Sequence, residues 1–431
     1  MGAKATLWNR VPIVELCETH VDCVNRTAPV LSEPTPFKMI RTTNVGNGFI
    51  DTENVRYVTE ETYTKWTRRL VPKKGDVILT REAPLGEVGK LRTNDFIFLG
   101  QRLYHFRPDP KKLDADFLLY SLLGEDLQGQ IRSFGSGSTV EHMRLEDIPC
   151  LEINLPPLPE QRRIAGILSA YDELIENSQR RIKILETMAR ALYREWFVNF
   201  RFPGHEKVKR VPSPLGEIPM GWEVKSLESL MADHIGGGWG KETEEDDYTE
   251  PAWVIRGTDI PDARSSQVAN VPHRFHTASN LRTRRLQTGD IVFEVSGGSK
   301  GQSVGRTLLI TPELLSALGG DSVICASFCK RVRPDATGYG SELLYISFLE
   351  GYESGEIEQF QVQSTGISNF KWTEYIAKTQ RVIPPEPLRS LFRQRVAPLF
   401  SLIATIGLQI QNLRRTRDLL LPRLLAGQVT L

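Results

Sequence analysis

The chain has 431 residues, of which 40% are hydrophobic and 25% are charged. These values exclude a wholly disordered chain, a collagen and a small disulfide-dense scaffold. The formal net charge is +1, which does not identify a nucleic-acid partner by itself. The charge is uneven, because residues 231–250 contain seven acids against Lys241, and the rest of the chain therefore carries +7.

No apolar stretch is expected to span a membrane, and residues 1–10 lack the apolar core of a signal peptide. We therefore expect a cytoplasmic protein. The five cysteines form no Cys-x2-Cys pair, which favours reduced, unpaired thiols. The alternative is a zinc site at Cys17-x2-His20-x2-Cys23, but it lacks a fourth ligand at ordinary spacing.

The sequence repeats itself once. Lys74–Ile78 recurs as Thr288–Val292, and Ile40–Asn44 recurs as Ile255–Asp259, with offsets of 214 to 216 residues. Towards the end of each copy the offset settles at 228, so the second copy has gained about 14 residues, which we place around Thr311–Gly320. The pattern indicates a duplicated unit of roughly 200 residues rather than a short solenoid repeat.

Each copy begins with a mixed α+β part and ends with a helical part. β-type runs such as Val77–Leu79 and Ile291–Phe293 alternate with Gly, Pro and Asp turn signals. Short helices are predicted at Asp116–Leu123 and Glu342–Leu349. The predicted order is a front domain at 1–157, a long helix at 158–203, a second front domain at 204–383 and a second long helix at 384–431.

The two long helices carry the strongest pattern, an apolar heptad seam that extends over about five heptads in each helix. Both helices follow proline-rich stops, and Pro398 is expected to kink the second one. We expect the related seams to pack on each other as an antiparallel coiled coil; the alternative is that each helix docks on its own front domain. The predicted seam consists of Ile164, Leu168, Tyr171, Ile175, Ile182, Leu185 and Leu192 in the first helix, and of Phe392, Val396, Leu399, Ile403, Ile406, Ile410, Leu413 and Leu420 in the second.

Motifs for catalysis are missing. The glycine runs at 236–241 and 297–301 lack the Gly-Lys-Ser/Thr of a phosphate-binding loop. Phe134–Gly137 resembles a methyltransferase glycine loop only superficially, and no Asn/Asp-Pro-Pro-Tyr/Phe sequence occurs. His273 and His276 have no carboxylate pattern for a metal site. We therefore expect a chain without catalysis of its own.

Three segments resemble one known family, the specificity subunits of type I restriction-modification systems. They are Leu155–Leu168 (LPPLPEQRRIAGIL), Pro214–Trp222 (PLGEIPMGW) and Leu420–Leu425 (LLPRLL). The resemblance covers the whole chain, although the second helix start, Pro385–Ser390, lacks the Glu-Gln pair, and the first half lacks the Pro-Leu-Gly-Glu-Ile-Pro entry.

The resemblance implies two tandem target recognition domains that alternate with two conserved helices, related by a pseudo-two-fold axis. It implies a non-catalytic subunit that binds double-stranded DNA, two modification subunits and two restriction subunits, and no membrane. It also implies no metal or cofactor on this chain: S-adenosylmethionine belongs to the modification subunit, and ATP and magnesium belong to the restriction subunit. Two alternatives are the recognition half of a single-chain restriction or methyltransferase enzyme and a structural coiled-coil adaptor.

The surfaces for these partners are predicted from exposed chemistry. The helix faces outside the seam, with Leu158–Arg163 and Leu388–Arg393, are expected to dock the modification subunits. Three polar loops in each half are expected to contact DNA, because Gly, Ser and Thr allow close backbone approach, while Arg, Lys, Asn and Gln offer donors to bases and phosphates. In chain order, the first, second and third loops are Arg41–Asn44, Arg81–Lys90 and Ser136–His142 in the first half, and Arg256–Asp259, Ser296–Arg306 and Ser364–Lys371 in the second. The predicted DNA-contacting residues are Arg41, Thr42, Thr43, Asn44, Arg81, Lys90, Ser138 and Thr139 in the first half, and Arg256, Thr258, Asp259, Ser299, Lys300, Gln302, Arg306, Ser364, Thr365, Asn369 and Lys371 in the second.

Two recognition domains of different sequence predict an asymmetric, bipartite DNA target with a nonspecific spacer. Domains on one side of a rigid coiled coil would face the same groove about one helical turn apart, ~34–36 Å between half-site centres.

Overall fold

A computed structural model of the chain describes residues 8–137, 141–297, 303–335, 338–364 and 367–429. It divides into two compact units. Unit 1 contains Met1–Leu174 and Leu413–Leu431, and unit 2 contains Ile175–Asn412. Each long helix therefore contributes one part to each unit.

The first front part contains eleven strands and three helices among its described residues, and a long helix follows it. They are β1 (Asn9–Pro12), β2 (Cys17–Asp22), β3 (Phe37–Ile40), β4 (Val45–Gly46), β5 (Phe49–Ile50), β6 (Arg56–Tyr57), α1 (Glu60–Trp66), β7 (Val77–Arg81), β8 (Leu85–Lys90), β9 (Phe96–Leu99), β10 (Leu103–Pro108), α2 (Ala115–Leu123), α3 (Glu125–Phe134), β11 (Glu152–Leu155) and α4 (Leu158–Tyr193), which a π-helical turn at Arg194–Val198 extends. The short helix expected at 116–123 is confirmed as α2, whose first turn is capped by the carboxylate of Asp114.

The elements of the second half follow the same general sequence. They are β12 (Arg210–Ser213), β13 (Gly216–Pro219), β14 (Glu223–Ser226), β15 (Met231–Gly236), β16 (Glu250–Ile255), α5 (Ile260–Ala263), β17 (His273–His276), α6 (Ala278–Arg284), β18 (Ile291–Glu294), β19 (Ser296–Gly297), β20 (Thr307–Leu309), α7 (Pro312–Ala317), β21 (Val323–Cys325), β22 (Cys329–Pro334), α8 (Ser341–Glu353), β23 (Gln361–Ser364), β24 (Ile367–Phe370), α9 (Trp372–Lys378), β25 (Gln380–Ile383) and α10 (Glu386–Leu425). The helix predicted at 342–349 is confirmed within α8.

The two halves have the same strand order in their main sheets. A four-stranded antiparallel sheet, β2-β10-β7-β8, corresponds to β15-β22-β18-β20. A three-stranded sheet, β6-β3-β9, corresponds to β17-β16-β21, and in each the central strand pairs parallel with one neighbour and antiparallel with the other. The extra residues expected around Thr311–Gly320 fold as α7, and the described residues between β8 and β9 contain no helix in that place.

Each central strand lies in a hydrophobic core. All five residues of β7 are buried, and so are all four of β18, because the sheet is covered on both faces. On one side of the first sheet lie α2 and α3 with the start of α4, whose Ile164 and Leu168 belong to the same buried cluster as Phe117 and Val77. The front part of the chain and the start of its long helix therefore share one core.

The long helices contact each other inside each unit. In unit 1, Leu424 near the end of α10 joins the cluster that contains Ile164 and Leu168. Arg417 Nη1 also donates to the carboxylate of Asp172 at 2.6 Å. In unit 2, by contrast, the end of α4 meets the beginning of α10, where the ring of Phe392 lies 4.8 Å from that of Phe197.

The predicted seam residues are all buried or half-buried. Outside the seam, Gly407 in α10 packs on the backbone of Ser265, and Gln411 donates to the carbonyl of Ser266. The helix α10 therefore also docks on the second front part, and the coiled coil expected from the seam stays a prediction. The helix α10 continues through Pro398, where we expected a kink.

Gln161 in the LPPLPEQ segment has a structural role rather than a free surface. It is 1% exposed, its side-chain oxygen accepts from the backbone N–H of Asp114, and its amide donates to the carbonyls of Lys112 and Pro156. It thus ties the start of α4 to the turn that precedes α2. The prediction that the whole of Leu158–Arg163 docks a partner is wrong for this residue, because its polar atoms are already engaged.

The expectation that no segment is long and apolar enough to cross a membrane is also wrong. Within the described residues one helix, α10, meets that criterion of length and composition, with a mean hydropathy of 1.4 over an 18-residue window. Residues 396–413 contain no charged side chain. The same stretch carries the buried seam residues Val396, Ile403, Ile406 and Ile410, so packing between helices accounts for its apolar composition. One such helix is weak evidence for a membrane span.

Two helical glycines provide a matched test of this packing. A Cβ at Gly407 would lie 1.6 Å from the carbonyl oxygen of Ser265, whereas a Cβ at Gly166 would meet nothing within 4 Å. We expect Gly407→Ala to lower the free energy of unfolding by about 1–3 kcal/mol through overpacking, despite the helical preference of alanine. Gly166→Ala should raise it by about 0.5–1 kcal/mol. Urea titration followed by circular dichroism checks both, and stabilisation by Gly407→Ala would contradict the packing of α10 on Ser265.

Candidate nucleic-acid interface

A buried aspartate fixes the turn before the central strand of each half. Asp76 is 1% exposed, and Arg107 donates to its two oxygens from Nε at 2.8 Å and from Nη2 at 2.7 Å. His105 Nε2 lies 2.6 Å from the same carboxylate. Burial would raise the pKa of Asp76, but the hydrogen bonds from Arg107 and His105 outweigh it and lower the pKa. The carboxylate therefore stays charged and holds β7 to β10.

The second half repeats this arrangement. Asp290 is 2% exposed and accepts from Arg333 Nε and Nη2, both at 2.8 Å. The backbone N–H of Gln287 also donates to Asp290, as that of Lys73 does to Asp76. The Gly-Asp pairs that revealed the repeat in the sequence are therefore structural anchors, and the loops around them can differ while the backbone is kept in place.

The first predicted DNA loop of each half begins with an arginine and closes on an Asn or Asp three residues later. Asn44 is 6% exposed, accepts from the backbone N–H of Arg41 at 2.9 Å and donates to the carbonyl of Asn54. Asp259 is 5% exposed and accepts from the backbone and the guanidinium of Arg256. The prediction that Asn44 and Asp259 contact DNA is revised, because both side chains are buried and their hydrogen bonds stabilise the conformation of the loop.

The neighbouring residues on these loops remain accessible. Thr43 and Thr258 are exposed, while Thr42 and Arg41 are half-buried. The Arg256 side chain is 38% exposed, although its Nη2 also donates to the carbonyl of Asn270.

Three cations of the second predicted loops already have protein partners. Arg81 is 9% exposed and donates to the carbonyl of Met143 at 2.9 Å, and Lys90 forms an ion pair with Asp116. Arg306 donates from Nε and Nη2 to Glu294, which is 1% exposed. These side chains hold loops to the sheet, so direct base contact by Arg81, Lys90 and Arg306 would require them to exchange partners.

The third loop of the second half contributes two exposed side chains. Asn369 accepts from Ser296 Oγ at 2.8 Å, and Lys371 is 51% exposed, with its ammonium 3.6 Å from Glu374. Other predicted contacts lie outside the described residues: Ser138, Thr139, Ser299, Lys300, Gln302 and Thr365, together with the side chain of Ser364.

Each half brings its predicted loops together. In the first half, a β-bridge between Glu82 and His142 joins the second and third loops, and the backbone N–H of Asn47, three residues after the first loop, donates to Glu87 in β8. In the second half, Ser296 and Asn369 join two loops, and a cavity of about 480 Å³ brings in the third. This cavity is lined by Trp239, Arg256, Gly257, Thr258, Glu294, Ser296, Gly297, Arg306, Ala326, Ser327 and Phe328.

The exposed aromatic residues of this cavity were not predicted from the sequence. Trp239 is 40% exposed and Phe328 is 58% exposed. The Trp239 ring lies 4.6 Å from the guanidinium carbon of Arg274. A single aromatic residue between two strands is a weak signal in a sequence, whereas the structure shows both rings lining one cavity with residues of the polar loops.

The cysteine and histidine cluster near the N-terminus has ordinary protein partners. Cys17 Sγ donates to the carbonyl of Ile13, and His20 Nδ1 lies 2.7 Å from the hydroxyl of Tyr104. Burial raises the pKa of Cys17 to about 12, which disfavours the thiolate that a metal requires. Within the described ranges, no group of three or more His, Cys, Asp or Glu residues could hold a metal ion.

Comparison with known proteins shows what the chain is similar to. The family model of the type I restriction modification DNA specificity domain matches residues 7–187. The MjaIX specificity subunit of Methanocaldococcus jannaschii is 26% identical over 379 residues, which cover 87% of this chain and 82% of that one. The EcoKI specificity subunit of Escherichia coli is 23% identical, and the match covers 91% of this chain and 82% of the relative.

Most of this chain is thus similar to type I restriction-modification specificity subunits, and residues 7–187 match their DNA specificity domain. A crystal structure of the S subunit from M. genitalium has a similar fold, with a TM-score of 0.55, 15% identity and coverage of 98% of this chain and 97% of that one. The resemblance inferred from the LPPLPEQ segment and the two long helices is thereby confirmed. In a specificity subunit the chemistry to explain is DNA sequence recognition, and the loops assembled on β7 and β18 are the candidate surface.

Proposed function

We propose that this specificity subunit reads an asymmetric, bipartite sequence in double-stranded DNA, with one target recognition domain for each half-site. The main support is the combination of a shared scaffold with different loops. Asp76 with Arg107 and Asp290 with Arg333 fix the same backbone, whereas the residues displayed around them differ. Two unlike reading surfaces on one scaffold suit two unlike half-sites.

The DNA contacts are proposed at the accessible residues of the loops. Thr43 and Thr258 are exposed, as are Asn369 and Lys371, and the Arg41 and Arg256 side chains lie beside them. Lysine and arginine are suited to phosphates, and threonine and asparagine are suited to both phosphates and base edges. Ser138, Thr139, Ser299, Lys300, Gln302, Ser364 and Thr365 remain predicted contacts on the sequence alone.

The long helices are proposed to form an antiparallel coiled coil that holds two modification subunits, to which two restriction subunits add. Ile184 and Met188 of α4 support a docking role, since they lie one turn apart outside the seam and are 57% and 52% exposed. We place S-adenosylmethionine on the modification subunits and ATP with magnesium on the restriction subunits. No cofactor is proposed for this chain.

The stoichiometry is tested by analytical ultracentrifugation of the chain with its cognate modification subunit. We expect a complex of two modification subunits with one specificity subunit. Ile184→Asp with Met188→Asp should weaken its assembly, because each change brings a charge into an apolar contact. Gln179→Asp is the control at an exposed position on the opposite side of α4. A complex with a different ratio, or equal assembly of the double variant and the control, contradicts the docking proposal.

The helix pair is also proposed to set the spacer length. A heptad inserted in each helix tests this, but insertion near Ser178 and Ile406 would disturb the contacts of Gly407 and Gln411 with the second front part. Insertions after Leu174 and after Asn412 avoid that contact. One heptad in each helix adds about 10.5 Å, which corresponds to a spacer longer by about 3 base pairs.

Sequencing of methylated bases in cells that express the complete system reads the outcome. The expected result is an unchanged pair of half-sites with a longer spacer. An unchanged spacer with altered half-sites would contradict the proposal that the helix pair sets the spacer length. A palindromic target in the wild-type system would contradict the proposal of two unlike half-sites. A matched variant with one heptad in α4 alone is the control. Its two helices no longer match in length, so it should lose more methylation than the variant with a heptad in both helices.

The two alternatives fit the residues less well. A single-chain enzyme would need a cofactor motif, and the chain lacks both a phosphate-binding loop and an Asn/Asp-Pro-Pro-Tyr/Phe sequence. A purely structural coiled-coil adaptor would not need two sets of polar loops on a repeated scaffold. Binding of a double-stranded DNA probe that carries the methylated sequence distinguishes the adaptor from the DNA reader.

A further inference from the structure

The turns that lead into β10 and β22 occupy equivalent places in the two halves. Arg102 ends the β9–β10 turn, and Phe328 ends the β21–β22 turn. The carbonyl of Arg102 accepts from the backbone N–H of Arg81 at 2.8 Å, and the carbonyl of Phe328 accepts from that of Val295 at 2.9 Å. Arg81 is the last residue of β7, and Val295 directly follows β18, so the two carbonyls accept at matching places and Arg102 and Phe328 are structural counterparts.

The two counterparts display opposite chemistry. The Arg102 side chain is 45% exposed, and Phe328 is 58% exposed. Arg102 has a φ of 68°, a left-handed conformation that costs energy for a non-glycine residue and that occurs often at functional positions. Its Nε lies 2.9 Å from Glu82, which orients the guanidinium. An exposed phenylalanine at the matching tip gives up burial that a purely structural residue would keep.

Both tips lie beside predicted DNA loops. Glu82, which holds Arg102, bridges to His142 of the third loop in the first half. Phe328 lines the 480 Å³ cavity together with Trp239, Arg256 and Thr258, which include residues of the first loop in the second half. The two cations of this cavity are paired with carboxylates, Arg256 with Asp259 and Arg306 with Glu294, and the rings of Trp239 and Phe328 add exposed apolar surface.

We propose that this turn tip is a base-reading position in both halves, with Arg102 on a guanine of one half-site and Phe328 on the methyl group of a thymine in the other. The inference rests on the proposed function and adds the identity of the reading residues. Arginine matches the two acceptors that guanine presents in the major groove, and an apolar side chain matches the C5-methyl group of thymine. Trp239 supplies further apolar surface next to Phe328.

The test uses the complete methyltransferase, formed by this chain and its modification subunits, on the site found for the wild-type system. Each thymine of the site is replaced in turn by deoxyuridine, which removes only the methyl group. At one thymine we expect the replacement to lower the affinity of the wild-type enzyme about fourfold. The Phe328→Ala enzyme should bind the thymine and deoxyuridine sites equally at that position. The other half-site should respond identically in the two enzymes.

Arg102 is tested by base substitution in the other half-site. Arg102→Ala is expected to lower discrimination for one G·C pair by about 5- to 150-fold and to leave the Phe328 half-site unchanged. Phe96→Ala and Arg10→Ala are the matched controls, because Phe96 is 53% exposed and the Arg10 side chain is 48% exposed and paired with one carboxylate. Both controls should retain the wild-type preference at every position.

Three results would overturn the proposal. One is a bipartite wild-type target at which the loss of binding on removing a thymine methyl does not depend on Phe328, and the preference for a G·C pair does not depend on Arg102. Another is an effect of Phe328→Ala equal to that of Phe96→Ala. A third is weakened assembly with the modification subunits in Phe328→Ala, which would make the tip a protein contact. Phe328→Leu keeps an apolar side chain and should retain the thymine preference, which separates lost contact from lost folding. A wild-type complex that binds no bipartite site refutes the proposed function itself.

Discussion

Replacing Arg417 with leucine is expected to lower the free energy of unfolding of unit 1 by about 3–5 kcal/mol. Arg417 is the one charged residue in the otherwise apolar seam of α10, and its Nη1 donates to Asp172 at 2.6 Å. The Asp172 side chain is 3% exposed and also accepts from the Tyr120 hydroxyl at 2.7 Å. Without Arg417 the buried carboxylate would keep a single donor and no countercharge, and this accounts for the size of the loss.

Hydrogen exchange of the backbone amides in residues 158–174 and 413–425 measures this effect where it arises. The control is Arg415→Leu, which removes an exposed arginine two positions away. The double variant Asp172→Leu with Arg417→Leu should recover most of the loss, because no unpaired charge remains, although Tyr120 then loses its acceptor. If Arg417→Leu exchanged no faster than Arg415→Leu, the ion pair would have no role in the stability of unit 1.

Replacing Phe392 with alanine should destabilise unit 2 by about 3–5 kcal/mol, because a large cavity would open in a packed core. Phe392 is 0% exposed at the start of α10. Its ring centroid lies 4.8 Å from that of Phe197, 5.7 Å from that of Trp196 and 6.4 Å from that of Tyr193, all at the end of α4. One side chain therefore holds the two helix ends together.

Urea denaturation followed by the fluorescence of the tryptophans, with hydrogen exchange to localise the change, measures this loss. Leu402→Ala is the control within the same helix, since Leu402 is 39% exposed, and it should change the free energy of unfolding by less than about 0.5 kcal/mol. Similar unfolding of both variants would mean that the helix ends are held elsewhere. Methylation by the assembled enzyme should fall with Phe392→Ala if the helix pair scaffolds the complex.

Local sequence pattern was sufficient to predict the repeat, the two long helices and the resemblance to specificity subunits. Heptad spacing placed Ile164 through Leu420 on buried or half-buried faces, because a helix presents every third or fourth residue on one side whatever it packs against. The Gly-Asp pairs identified matching turns, and the change in offset located the extra helix α7. These features depend on neighbours in the chain, which a sequence displays directly.

The partners of the site residues were decided by the tertiary structure. Asn44, Asp259 and Arg306 have polar side chains suited to DNA, yet the fold engages them with Asn54, Arg256 and Glu294. Gln161 resembled a surface motif and is instead an internal tie.

The equivalence of Arg102 and Phe328 agrees with the sequence repeat, since each lies five residues before the matched Arg107 and Arg333, although the two side chains have nothing in common. It follows from one backbone hydrogen bond in each half, between strands that are distant in the chain. A sequence fixes which faces are apolar and where elements begin, since these are local properties. Whether a polar side chain points to solvent or to a buried partner depends on contacts between distant segments, which form only when the chain folds.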